Sequence, residues 1–84
     1  MKISVYDTYV PKNNQLMHFD ILTEENETLK NVLNYGKGYL QSKGLVNYKL
    51  NTKECKFCHI EVAPTHIEKE IKENGYFIIE MENC

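Results

Sequence analysis

Two runs of strand-forming residues, Ile3 to Val10 and Leu16 to Leu22, flank the segment Pro11-Lys12-Asn13-Asn14-Gln15, and this arrangement limits the fold more than any other feature. Both runs carry the β-branched, aromatic and aliphatic side chains that fit a pleated surface. The Asn pair between them tolerates the positive φ that a tight hairpin turn demands. With the turn centred on Asn13-Asn14, cross-strand partners have residue numbers that sum to a constant. Val10 then faces Met17, Thr8 faces Phe19 and Tyr6 faces Ile21, which makes an apolar face. On the other face Tyr9 lies across from His18, and Asp7 lies directly across from Asp20. Two carboxylates so placed repel unless a lysine, a shared proton, a bound cation or a charged His18 compensates. The plain alternative is a pair of solvated aspartates that costs a few tenths of a kcal/mol, on the order expected of exposed charges.

The rest of the chain reads as two helices and three further strands. Leu29, Val32, Leu33, Gly36 and Leu40 form one apolar stripe that ends at Gly44, predicting a helix near 28–43. Gly36-Lys37-Gly38 falls inside this stripe and lacks the rest of a nucleotide-binding fingerprint, so Gly36 is expected to let the helix approach the sheet closely. Leu45 to Leu50 reads as a short strand, and Cys55 to Ala63 as another. A second helix is predicted near 65–74, with Thr65 and Glu68 at capping-box spacing, Ile67 and Ile71 buried, and Gly75 as its stop. Tyr76 to Glu82 closes the sheet with Phe77, Ile79 and Met81 on one side. The resulting order is ββαββαβ. A two-layer α+β sandwich with both helices on one face of a largely antiparallel sheet would bury both stripes.

Residues 1–84 are enough for a single domain with one modest core. The formal net charge is −2, and all ten basic residues are lysine, so the bidentate guanidinium clamp for phosphate or guanine is missing. No nucleic-acid partner and no membrane partner is expected on that balance. The N-terminus lacks a signal peptide's apolar region and no run approaches membrane length, so the expected location is the cytoplasm. Three cysteines in a reducing compartment do not suggest a disulfide framework.

The segment Glu54-Cys55-Lys56-Phe57-Cys58-His59-Ile60-Glu61 concentrates the reactive side chains. A zinc-binding Cys-x-x-Cys normally sits in a tight turn with a second ligand pair elsewhere. Here the alternation reads as strand, which places Cys55, Phe57, His59 and Glu61 on one face and Cys58, Ile60 and Val62 on the other. Cys58 is then expected to be a small core residue and Cys55 a partly exposed thiol, with no disulfide between them. The c-type haem match ending in His59 would need an exported chain, and a thioredoxin-like motif would need a helix to follow. His66 is expected at the surface and Cys84 at a fraying end.

Four blocks of the sequence are similar to a family of small bacterial proteins known as a domain of unknown function, DUF2024. They are Asp7-Thr8-Tyr9-Val10, Met17-His18-Phe19-Asp20-Ile21-Leu22, Glu54 through Glu61, and Gly75 through Cys84. The resemblance spans the whole chain and implies a small α+β domain of ββαββαβ order, with no established activity or ligand. One departure is the first turn, Asn13-Asn14, where the resemblance leads us to expect Asp-Gly.

The candidate functional cluster is therefore Asp7, His18, Asp20, Cys55, His59 and Glu61, with His18, Cys55 and His59 as candidate ligands of a divalent metal such as zinc. The same cluster could hold a reactive thiol, with Cys55 as nucleophile, His59 or His18 as base and Glu61 or Asp20 orienting it. The alternative is a non-enzymatic interaction or assembly module, with a protein partner or a homo-oligomer. It would use an exposed sheet face rich in the six tyrosines and three phenylalanines.

Overall fold

The computed structural model describes residues 1–84. Its elements are β1 (Lys2–Lys12), β2 (Gln15–Glu24), α1 (Leu29–Ser42), β3 (Cys55–Val62), α2 (Thr65–Asn74) and β4 (Tyr76–Glu82). The strands form one antiparallel sheet in the order β3-β1-β2-β4, so the protein is α+β. The β1–β2 hairpin occupies the middle of the sheet, and its register pairs Val10 with Met17, Tyr9 with His18 and Asp7 with Asp20, as the sequence predicts. Asn13 and Asn14 hold φ of 50° and 65°, the left-handed pair that a two-residue hairpin turn requires.

Helix α1 packs on the Tyr6–Thr8–Val10 side of the hairpin. Val32 and Leu40 join Val10, Met17, Phe19 and Ile21 in a buried cluster with Leu50 and Cys55. The Thr28 hydroxyl caps α1 by accepting a 3.2 Å hydrogen bond from the Asn31 amide. Gly36 explains the close approach of helix to sheet, because a Cβ there would collide with Leu50 Cδ2 and lie 3.0 Å from Ile21 Cδ1.

Helix α2 corrects the expectation of two layers. Ile67 and Ile71 pack with Ile3, Val5 and Leu22, side chains that alternate onto the opposite side of the hairpin. The two helices thus cover opposite faces, and the sheet lies between them. The physical reason is visible in the run Ile3-Ser4-Val5 of β1 and the run Ile21-Leu22-Thr23 of β2, where residues of both parities are buried. The odd face of β1 is apolar at one end and polar at the other, and α2 covers the apolar end.

Two local expectations also differ. Residues 45–50 form a loop rather than a strand; Asn47 has φ 65°, which breaks extended backbone, and the loop delivers Leu50 into the α1 core. No Thr65–Glu68 capping box forms, because α2 begins after Pro64, whose carbonyl accepts from the Ile67 and Glu68 amides. At its other end α2 stops as predicted, with Gly75 at φ 90°. No helix is long and apolar enough to cross a membrane.

Candidate metal centre

The polar end of the α2-side face is built by the hairpin. Asp7 and Asp20 face each other across β1 and β2, one residue pair away from Tyr9 and His18 on the same face. His18 Nε2 reaches 3.5 Å from Asp20 Oδ1 and 3.8 Å from Asp7 Oδ1. The Tyr9 ring stacks on the imidazole at 4.1 Å between centroids and 12° between planes, which fixes the ring's orientation. The side chains of His18 and Asp20 are only 18% and 15% exposed, whereas that of Asp7 is 37% exposed and opens the cluster to solvent. His18 Nε2 and Asp20 Oδ1 are fully buried atoms without a hydrogen-bond partner.

No lysine forms an ion pair with either aspartate, although Lys56 is the cross-strand partner of Asp7. The carboxylates instead resolve their repulsion by separating in acidity. Burial first, then the neighbouring Asp7 carboxylate, raises Asp20 to about 6. Asp7 is pushed below its ordinary value, chiefly by the hydrogen bond from Asp20 and also by contact with the Cys58 thiol. The pair therefore behaves as a dyad that holds a proton on Asp20 at mildly acidic pH.

Strand β3 adds a second set of side chains through a bulge. Tyr6 pairs with Phe57 and Val5 with His59, which leaves Cys58 as the extra residue. A β-bulge turns two consecutive side chains toward one side and reverses the alternation beyond it. Cys55 and Phe57 consequently share the α1 face, whereas Cys58, His59 and Glu61 lie on the face of Asp7. Cys58 Sγ is 3.1 Å from His59 Nδ1, and His59 Nε2 is 3.2 Å from Glu61 Oε2. Partial desolvation, followed by the carboxylates of Asp7, Asp20 and Glu61, pushes the Cys58 thiol above its ordinary range.

A family model described as a domain of unknown function, DUF2024, matches residues 1–81. The chain belongs to the DUF2024 family. Its fold is similar to the NMR structure of protein NE1680 from Nitrosomonas europaea, at 42% identity and a TM-score of 0.85, over 100% of this chain and 99% of that one. No curated protein matches.

Within this DUF2024 domain, Asp7, His18 and Asp20 converge as the hairpin register predicts, and His59 and Glu61 stand together on the neighbouring strand. Cys55 does not join them. It is 1% exposed, packs in the α1 core opposite Thr8, and its thiol is pushed up by burial. The expected roles of the two cysteines are thus reversed: Cys55 is the core residue and Cys58 the exposed thiol of the polar face. Strict alternation misled because it put Cys58 on one face with Ile60 and Val62, whereas the extra residue in β3 turns those two onto the face of Cys55. The exposed lysine and phenylalanine between the cysteines carried no signal of that bulge. Cys84 is half-buried rather than frayed, its thiol donating to the His18 carbonyl at 3.2 Å.

Both arrangements forbid a Cys55–Cys58 bridge, since the thiols lie on opposite sides of the sheet. Alkylation of the native protein is expected to label Cys58 rapidly and Cys55 only after unfolding, as read by mass spectrometry of the peptides. Rapid labelling of Cys55 in the folded state would contradict its place in the core.

Proposed function

We propose that this domain binds a divalent transition-metal ion, zinc foremost, where Asp7, His18 and Asp20 converge. The observation that carries this reading is the convergence of one imidazole nitrogen and two carboxylate oxygens within 4.8 Å of one another. Two of those three atoms are buried and lack a hydrogen-bond partner. Ligands ~2.0–2.2 Å from a tetrahedral zinc stand roughly 3.3–3.6 Å apart. The separations of 3.5 and 3.8 Å from His18 to the two carboxylates need only slight closure. A cation would also neutralise two carboxylates that no lysine pairs. The three unbridged thiols are compatible with a reducing compartment such as the cytoplasm.

Isothermal titration of metal-free protein with zinc tests the proposal. Wild type should bind stoichiometrically and gain melting temperature through linkage. His18→Ala should lose affinity by about 100-fold or more, because it removes the only nitrogen of the set. Zinc that binds neither protein, or both equally, would sink the reading.

The interaction-module reading keeps one specific support. Phe57, Ile60 and Val62 are exposed on β3, an edge strand of the sheet. Tyr6, Tyr9, Tyr35 and Tyr39, by contrast, are engaged in ring–ring contacts within the chain. A sedimenting dimer that dissociates on Val62→Lys, with no response to zinc, would favour this second reading.

A further inference from the structure

We infer that β3 pairs antiparallel with β3 of a second copy of this chain, about a two-fold axis that passes between Cys58 and His59. This inference rests on the interaction reading of the β3 edge and adds its occupant and register. It is independent of the metal, because edge pairing extends the sheet in its own plane and leaves the face of Asp7, His18 and Asp20 open. Strand β3 is the uncovered end of the sheet. Both helices lie chiefly over β2 and β4, and the side of β3 away from β1 has no strand partner. Every β3 residue after Cys55 is exposed, and Phe57, Ile60 and Val62 make an apolar strip there. Sheet edges rarely carry such a strip unless something pairs with it.

The bulge decides what can pair. Cys55, Phe57, Ile60 and Val62 lie on one face of the sheet, and Lys56, Cys58, His59 and Glu61 lie on the other, because alternation resumes inverted after Cys58. Residues directly opposed in antiparallel strands share a face. A regularly alternating strand laid beside β3 can meet that condition on only one side of the bulge. The order of faces along β3, however, is the same read in either direction from the link between Cys58 and His59. A second β3 running the other way therefore meets the condition at every pair. Cys55 then opposes Val62, Lys56 opposes Glu61, Phe57 opposes Ile60 and Cys58 opposes His59. Moving the axis onto Cys58 sets Phe57 against His59, and moving it onto His59 sets Phe57 against Glu61; every pair then mismatches.

Charge complementarity selects the same register independently. Lys56 makes no ion pair within its own chain. The register gives it Glu61 of the second copy, once on each side of the axis, and opposes no like charges. On the other face it joins Phe57 to Ile60 twice, an aromatic–aliphatic pair of the kind that stabilises neighbouring strands. The surface is thus complementary to itself, as a closed two-fold interface requires. Its backbone bonds supply affinity, and the alternating side-chain pairs supply specificity.

Sedimentation equilibrium of the full-length, reduced protein in chelator provides the test. Wild type should form a reversible dimer. Lys56→Glu and Glu61→Lys each set like charges opposite one another on both sides of the axis, and each should weaken dimerisation by about tenfold or more. Mixed in equal amounts, the two variants should form a heterodimer about as tight as the wild-type dimer, because every contact between positions 56 and 61 is then between opposite charges. A chain that carries both substitutions should self-associate again. Thermal melting checks that each variant, altered at an exposed position, is folded. A wild type that stays monomeric at millimolar concentration would overturn the self-pairing and leave the edge to a different chain. A dimer indifferent to both charge changes but broken by Val62→Lys would overturn this register while the edge reading stands. A dimer indifferent to all three would overturn the edge reading as well. A mixture that stays monomeric while the wild type dimerises would overturn the pairing of Lys56 with Glu61.

Discussion

Phe19→Ala should leave the metal-free protein largely unfolded at 37 °C. Phe19 is fully buried in the centre of the sheet, tilted against Tyr39 at 4.6 Å between ring centroids and surrounded by Met17, Ile21, Val32 and Leu40. Truncation of a buried phenylalanine costs about 3–5 kcal/mol, part transfer energy and part cavity. A domain of 84 residues has a total stability of roughly 4–13 kcal/mol, so the loss consumes much of it. The effect reaches the other face, because His18 and Asp20 flank Phe19 on β2 and point the opposite way. Zinc should partly rescue the variant, by about 2.7 kcal/mol at a hundred times its dissociation constant. Urea denaturation with and without zinc measures both quantities. A cost below about 1 kcal/mol would mean that Phe19 is not the keystone of the α1 core.

The hairpin was legible because its information is local. A period of two, an Asn pair and nine or so side chains fix one register, and that register alone brings Asp7, His18 and Asp20 together. The helices were legible for the same reason, through apolar spacing and the stop at Gly75. What stayed hidden depends on partners distant in sequence. Ile3, Val5 and Leu22 belong to runs that read simply as strand, and only α2 packing against them reveals a second core there. Leu50 looked like one member of an alternating strand, yet it is a loop residue that fills the gap left by Gly36. The Cys55–Cys58 reversal has its origin in the pairing of β3 with β1: Cys55 lies opposite Thr8 of the α1 face, and the bulge that parts Cys58 from Ile60 and Val62 is a property of two strands that leaves no mark in one.

Asp20→Asn should stabilise the metal-free protein while abolishing its response to zinc. Asp20 is raised from an ordinary 3.8 to about 6, so ionising it in the fold is unfavourable. Its contribution to stability is fully present below the unfolded value near 3.8 and is lost as pH rises through about 6. Asp7, held below its ordinary value, contributes in the opposite sense and favours the fold above that value. For Asp20 the displacement corresponds to roughly 3 kcal/mol, or about 1–3 kcal/mol once its remaining solvent contact is allowed for. Asparagine mimics the protonated acid: it is neutral and can still donate to Asp7. The metal-free variant should therefore exceed the wild type by about 1–3 kcal/mol at pH 8, with the difference vanishing near pH 4. Excess zinc should reverse the order, because only the wild type offers both carboxylates. The same proton competes with the cation, so wild-type zinc affinity should weaken as pH falls through about 6, where Asp7, His18, Cys58 and His59 also face the site. Chemical denaturation across pH 4–8, in chelator and in zinc, reads all of these at once. If the variant is less stable than the wild type in chelator at pH 8, the carboxylate pair stores no repulsion. If zinc stabilises both proteins equally, the aspartate dyad is not where the metal binds.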